Sequence, residues 1–231
     1  MLTSLLKMTK KGCVSIENLK RGTRLSPSIL ASLLGELKNK ALVCVSDDMV
    51  CVDPSARVQI ALRALLLGAD FEVIAALLQW QEFENIAGAT LEVHGYSVQR
   101  NFRFKEGGKR WEIDIVACRE PIVVCLDCKQ WKRTLSPSSS KRIVEAQTQR
   151  TKALASILPS ASLRLECQKW RKANFVPAVL SLIPGGLKFC NKVPIVPILQ
   201  LQDFVRQLPA QILMLQHTQR NFDHLGHEFQ N

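Results

Sequence analysis

Between Lys109 and Arg133 the chain reads KRWEIDIVACREPIVVCLDCKQWKR, and charge sits in it where charge is costly. Asp114 lies inside WEIDIVA; Asp127 and Lys129 lie at the end of IVVCLDCK. Both segments are apolar and β-branched, and Arg119-Glu120-Pro121 gives a turn between them, so they are expected as two short, largely buried strands. An ionised group is rare in such a strand unless it is paired or binds a metal. Side chains alternate faces along a strand, which puts Asp127 and Lys129 on one face and Cys128 on the other. If the two segments form a hairpin, Asp114 lies across from Asp127. Neighbouring carboxylates repel unless a cation neutralises them, and a hard cation such as Mg²⁺ takes oxygen ligands while keeping waters for chemistry. Lys129 would then orient an attacking water or stabilise charge growing on a phosphate. The chemistry expected is metal-dependent phosphodiester hydrolysis.

An acid in one strand followed by acid-x-Lys in the next resembles the core of the PD-(D/E)XK nuclease superfamily, the restriction-endonuclease-like fold. Upstream, WQEFENIAGATLEVHGYSVQRN (residues 80–101) resembles the first helix and strand of its Mrr-like and archaeal Holliday-junction-resolvase-like branches. The resemblance implies a site of Glu84, Asp114, Asp127 and Lys129, with the Cys128 backbone carbonyl as a further metal ligand. It also implies Mg²⁺, with Mn²⁺ able to substitute, and cleavage leaving a 5′-phosphate. Two departures stand out: Ile113 replaces the Pro that often precedes the first acid, and the second acid is Asp127 rather than Glu. Glu82 competes with Glu84, since on a helix only one of two acids two positions apart can face inward. Phe83, Ile86, Ala87 and Leu91 mark the apolar side and leave Glu84 at its edge.

The charge distribution fits a polyanionic substrate. The chain has 31 Lys/Arg against 20 acids, a formal charge of +11. Residues 97–175 hold 17 of those bases against seven acids, so almost all the excess surrounds the expected site. Phosphate neutralisation and counterion release favour nucleic acid on such a surface. Arg103, Lys109, Arg110, Lys132, Arg133 and Arg150 are the candidate contacts there. The segment 141–158, KRIVEAQTQRTKALASIL, reads as a helix with Ile143, Gln147, Arg150 and Leu154 along one side. Gln147 resembles an auxiliary polar position of these nucleases, and a boundary residue bonded to backbone is its alternative.

The elements that must hold this site follow from the remaining pattern. Residues 1–55 read as three helices and a hairpin, an arrangement like a winged helix-turn-helix DNA-binding domain. Ser26-Pro27 opens its third helix, whose apolar stripe is Ile29, Leu30, Leu33, Leu34 and Leu37 and whose Ser28, Ser32, Lys38 and Lys40 would face DNA. Asp47 and Asp48 at the hairpin tip would repel phosphate. Residues 56–70 form a connecting helix, 71–215 the nuclease-like domain, and 216–231 a polar tail. Ser136 to Ser140 reads as a loop. The order helix, three strands, helix, two strands, helix over residues 80–208 predicts an α/β fold with a mixed central sheet flanked by helices.

Eight scattered cysteines give only one C-x-x-C, Cys125 to Cys128, whose sulfurs on a strand point to opposite faces and cannot share a metal. A Cys44–Cys51 disulfide across the hairpin is conceivable, but a cytoplasmic location, the default here, keeps thiols reduced. With 47% hydrophobic residues the chain can bury a core, and no uncharged run reaches the ~20 residues a membrane span needs. There is no H-E-x-x-H, P-loop or G-x-S-x-G, so metalloprotease, NTPase and serine-hydrolase chemistries lack support. The reading is a Mg²⁺-dependent endonuclease acting on duplex or branched DNA in repair, recombination or restriction, with a homodimer suited to cutting both strands. The alternatives are a non-cleaving DNA-binding regulator with a nuclease-like fold and an RNA endonuclease.

Overall fold

The structure is a computed structural model and describes residues 1–129, 136–182 and 187–222. Lys132, Arg133, His224 and His227 lie outside the described residues. The chain divides into two compact units, Met1–Ile86 and Ala87–Asn231, the division falling within one helix.

The first unit holds α1 (Leu2–Met8), β1 (Val14–Ser15), α2 (Ile16–Thr23), α3 (Pro27–Asn39), β2 (Cys44–Ser46), β3 (Met49–Cys51), α4 (Pro54–Leu66) and α5 (Phe71–Leu77). Helix starts follow capping chemistry. Ser15, Ser26, Asp53 and Asp70 each accept a backbone N–H of the first turn, and Pro27 and Pro54 stand where a missing N–H costs nothing. The three strands form one antiparallel sheet in the order β1-β3-β2. The apolar stripe of α3 is narrower than its sequence suggests, because Leu30, Leu34 and Leu37 are buried while Ile29 is exposed. The disulfide also differs from the expected pair. Cys51 is bonded to Cys13 rather than Cys44, because β1, which the sequence pattern did not reveal, lies on the other side of β3.

A buried ion pair ties this unit together. Arg57 Nε donates to Glu82 Oε1 at 2.6 Å, and both side chains are 3% exposed. The remaining guanidinium nitrogens donate to Leu6 O, Thr9 Oγ1 and Leu77 O, and Glu82 Oε2 accepts the Gln79 N–H.

The division falls within α6 (Trp80–Val93). The second unit then continues with β4 (Ser97–Glu106), β5 (Lys109–Arg119), β6 (Ile122–Lys129), α7 (Pro137–Ile157), β7 (Lys172–Ser181), β8 (Phe189–Cys190), β9 (Val193–Pro197), α8 (Leu201–Gln211) and β10 (Thr218–Asn221). Seven strands make a mixed sheet in the order β4-β5-β6-β7-β9-β8, with β10 antiparallel to β7. β4, β5 and β6 are antiparallel; β6, β7 and β9 run parallel. This is the mixed α/β restriction-endonuclease-like core expected from the order of elements. Two readings change. Ser136 and Pro137 are the N-cap and first-turn proline of α7 rather than a loop. Part of the expected polar tail, Thr218–Asn221, forms β10, since its backbone completes the ladder beside Phe175. A core of Phe102, Phe104, Val116, Leu154 and Phe175 fills the space between sheet and α7, and each such side chain contributes about 1.5–3 kcal/mol by leaving water.

Candidate active site

β5 and β6 are paired antiparallel from Arg119↔Ile122 to Ile115↔Leu126, and there the ladder stops. The next positions are Asp114 and Asp127. Asp114 does not leave the sheet unsatisfied: its Oδ2 accepts the Cys128 N–H at 2.7 Å, a side chain standing in for a strand carbonyl. The β4–β5 ladder also breaks here. It runs through Arg100↔Ile115 and resumes at Phe102↔Ile113, skipping Asn101, which has φ 51°. Asn tolerates this left-handed conformation better than most residues. Ile113 joins the same core cluster as Val116 and Cys118. The register is the same on both sides of the gap, so one residue of each strand, Asn101 and Asp114, is left out of the ladder.

Asp127 is 3% exposed near the end of β6. Its Oδ1 accepts Lys129 Nζ and Arg150 Nη1, each at 2.9 Å. Its Oδ2 is buried and has no hydrogen-bond partner among the described residues. An unmatched buried oxygen of this kind costs about 1–3 kcal/mol, more for a charged group. Burial pushes the Asp114 carboxyl above its ordinary range. The Cys128 N–H opposes that rise, the neighbouring Asp127 charge adds to it, and Lys129 and Arg150 offset it. The pair keeps one open acceptor, Asp127 Oδ2. A divalent cation fits this donor set: Asp114 and Asp127 would hold it, in the mode where Mg²⁺ uses one or two carboxylates and completes its shell with water and phosphate oxygens. Among the described residues no group of three or more His, Cys, Asp or Glu side chains is arranged to hold a metal.

The other predicted residues are placed as follows. Gln147 is fully buried on α7; its Nε2 donates to Cys125 O at 2.8 Å and its Oε1 accepts Arg150 at 3.4 Å. It thus anchors β6 backbone and steadies Arg150. Arg150, expected at phosphate, is bonded to Asp127. Glu84 is buried on α6, within the first unit, and so is Glu82. Both acids are therefore enclosed, where only one was expected to be, because Arg57 satisfies Glu82. Lys38 and Lys40 are exposed at the C-terminal end of α3.

Over Lys109–Ile113, β5 pairs with β4 alone. This ribbon turns Phe102, Phe104 and Ile113 inward, while Arg103, Lys105 and Arg110 are exposed. Arg103 is bonded to Glu112 at 3.1 Å, and Lys109 Nζ lies 3.7 Å over the Trp111 ring. Lys105, directly across from Arg110, extends the basic set. Lys105 was not among the contacts expected from the sequence, although the alternation in NFRFK carries a signal for it. Asn101 gave no such signal, since a positive φ inside a strand leaves no trace in composition.

A family model described as restriction endonuclease matches residues 75–180. A protein of Archaeoglobus fulgidus, described as uncharacterized, is 33% identical over 131 residues, which are 57% of this chain and 92% of that protein. Among solved structures, protein VC1899 from Vibrio cholerae aligns with 92% of the chain at 13% identity and a TM-score of 0.41. Can2 from Sulfobacillus thermosulfidooxidans, solved in complex with cyclic tetra-adenylate, aligns with 91% at 13% identity and a TM-score of 0.39. The chain spans 50% of the length of each of these two proteins.

Proposed function

Because this chain carries a restriction-endonuclease-like domain over residues 75–180 and belongs to one family with its Archaeoglobus fulgidus relative, we propose that it is a metal-dependent endonuclease acting on DNA. The observation that carries the reading is Asp127, a buried carboxylate with one oxygen held by two cations and the other left open beside Asp114. Asp114 and Asp127 are the proposed ligands of Mg²⁺, with Mn²⁺ as substitute, joined by the Cys128 carbonyl. When bound, the ion supplies neutralisation of phosphate charge and a more acidic water. Lys129 is proposed to position the attacking water and to meet charge developing on the phosphate. Arg150 releases or shares Asp127 and faces the same phosphate. Gln147 positions Arg150. Glu84 is the further acid that the superfamily resemblance adds.

Arg103, Lys105, Lys109 and Arg110 are the proposed nucleic-acid contacts of the second unit. In the first unit the three helices and the sheet order β1-β3-β2 support a winged-helix reading, with Lys38 and Lys40 toward DNA. A second reading, a nucleic-acid binder that does not cut, is favoured by one observation: Lys129 and Arg150 already occupy Asp127 Oδ1.

The test offers labelled duplex, single strand, flap, four-way junction and RNA to the wild type, Asp127→Asn and Glu84→Gln, with Mg²⁺, Mn²⁺ or chelator. Metal-dependent cleavage of DNA that is lost in Asp127→Asn is the expected result. Binding without cleavage under every condition selects the second reading, and cleavage of RNA alone replaces the substrate.

A further inference from the structure

The sheet of the first unit carries three cysteines in one row. The β1–β3 register, Val14↔Val50 and Ser15↔Met49, brings position 13 opposite position 51, where the Cys13–Cys51 disulfide forms with its Cα atoms 4.2 Å apart. On the other side of β3 the register pairs Cys51 directly with Cys44. The central strand therefore presents one cysteine flanked by two others. Residues directly opposite on antiparallel strands project to the same face with Cβ atoms about 4.5–5.5 Å apart. The inner face of this sheet is occupied by Val14 and Val50, both buried. The outer face holds the cysteines: Cys13 and Cys44 are exposed, Cys51 is partly so, and Cys44 is a free thiol.

Thiol–disulfide exchange requires a thiolate to attack a disulfide sulfur. The attack is easiest along the S–S axis, from the side opposite the leaving sulfur. The strand order β1-β3-β2 puts Cys13 and Cys44 on opposite sides of Cys51, the arrangement that such an approach requires. We propose that Cys13, Cys51 and Cys44 form an intramolecular thiol–disulfide exchange site open to small thiols and disulfides. The Cys44 thiolate attacks Cys51 Sγ, the Cys44–Cys51 bond forms, and the Cys13–Cys51 bond breaks. Cys13 leaves as the thiolate and takes up the proton that Cys44 gave. One disulfide and one thiol stand on each side, so no outside oxidant is consumed.

The exchange changes what is covalently held. The Cys13–Cys51 link joins residues 38 apart and fastens β1 to the sheet. The alternative link closes only the β2–β3 hairpin. In that form β1 is left with its two residue pairs with β3, while α1 stays anchored through Arg57, which bonds Leu6 O and Thr9 Oγ1. Lys10 also stays held, by Ala76 O and the Gln79 side chain, so the segment that gains freedom is the exposed stretch Lys11–Cys13, and Cys13 becomes its reactive end.

The experiment maps the disulfide of the full chain. Free thiols are trapped by acid quench and alkylation, and the protein is cut on both sides of Asp47-Asp48 so that Cys44 and Cys51 part. The free thiol of the trio is expected to divide between Cys44 and Cys13 in the wild type. Cys13→Ser should form Cys44–Cys51 on exposure to oxidised glutathione, and Cys44→Ser should hold Cys13–Cys51 alone. Alkylation confined to Cys44 in the wild type, before and after incubation with reduced glutathione, overturns the proposal. So does a folded Cys13→Ser protein that keeps both Cys44 and Cys51 labelled after oxidised glutathione. If Cys13→Ser fails to fold, the wild-type distribution decides.

Discussion

Glu82 and Asp127 are both buried acids bonded to an arginine, one in each unit of the molecule. Around Glu82 every partner is accounted for. Its two oxygens are taken by Arg57 and the Gln79 N–H, and Arg57 spends its other nitrogens on Leu6, Thr9 and Leu77. Around Asp127 one oxygen is doubly bonded and the other has no hydrogen-bond partner among the described residues; its cations are about a third exposed, 30% for Lys129 and 29% for Arg150. A closed ion pair holds elements together and offers a ligand nothing. An incomplete one leaves charge and coordination capacity to be used. Burial and an arginine do not separate structure from chemistry; the count of unmet acceptors does.

The contrast is broken most forcefully at Arg57. Arg57→Ala strands Glu82 in the interior and should cost about 3–5 kcal/mol, read from denaturant unfolding. Replacing the pair together, Arg57→Met with Glu82→Leu, should recover most of that loss, because neither charge is then left alone. Lys129→Met should do the reverse. Unfolding free energy should change by no more than about 1 kcal/mol, since the lysine is partly solvated, while the cleavage rate falls about 10²–10³-fold, a loss typical of one group aimed at transition-state charge. A loss of stability as large as that of Arg57→Ala would make the Asp127 cluster structural after all. Divalent metal sharpens the comparison next. At about 100 times its dissociation constant, Mg²⁺ should stabilise the wild type by about 2.7 kcal/mol in thermal unfolding, and Asp127→Asn should abolish the gain while Glu82→Gln keeps it.

The smallest effect concerns an acid that is satisfied yet exposed. Asp53 caps α4, and the Ser55 hydroxyl, followed by the Ala56 N–H, holds its carboxyl below the ordinary 3.8. Asp53→Ala should cost about 1 kcal/mol at neutral pH. A lowered folded-state value means the contribution is complete above pH 3.8 and lost as pH falls through that lower value. Wild type and variant should therefore converge in acid, as thermal melts from pH 7 downward will show.

Much of the second unit was legible because its signals are local. Apolar runs, a turn at Arg119-Glu120-Pro121 and a charged triad at fixed spacing named β5, β6, Asp114, Asp127 and Lys129. What stayed hidden depends on partners distant in sequence. Arg150 and Gln147 reach β6 across more than twenty residues, and nothing in KRIVEAQTQR says that Asp127 is their destination. β1 and β10 are too short to show a period, so Cys13 was not matched to Cys51 and the end of the sheet was read as tail. Only one of Glu82 and Glu84 was expected to face inward for the same reason: the partner of Glu82 is 25 residues earlier.

The ribbon formed by β4 with residues 109–113 of β5 has a consequence in length. A strand rises about 3.4 Å per residue, so these five residues reach about 17 Å beyond the two aspartates. That is the span of about five phosphates on one strand of a duplex. On the proposed reading, a substrate trimmed by half a helical turn on the ribbon's flank of the scissile bond would lose the ribbon's contacts.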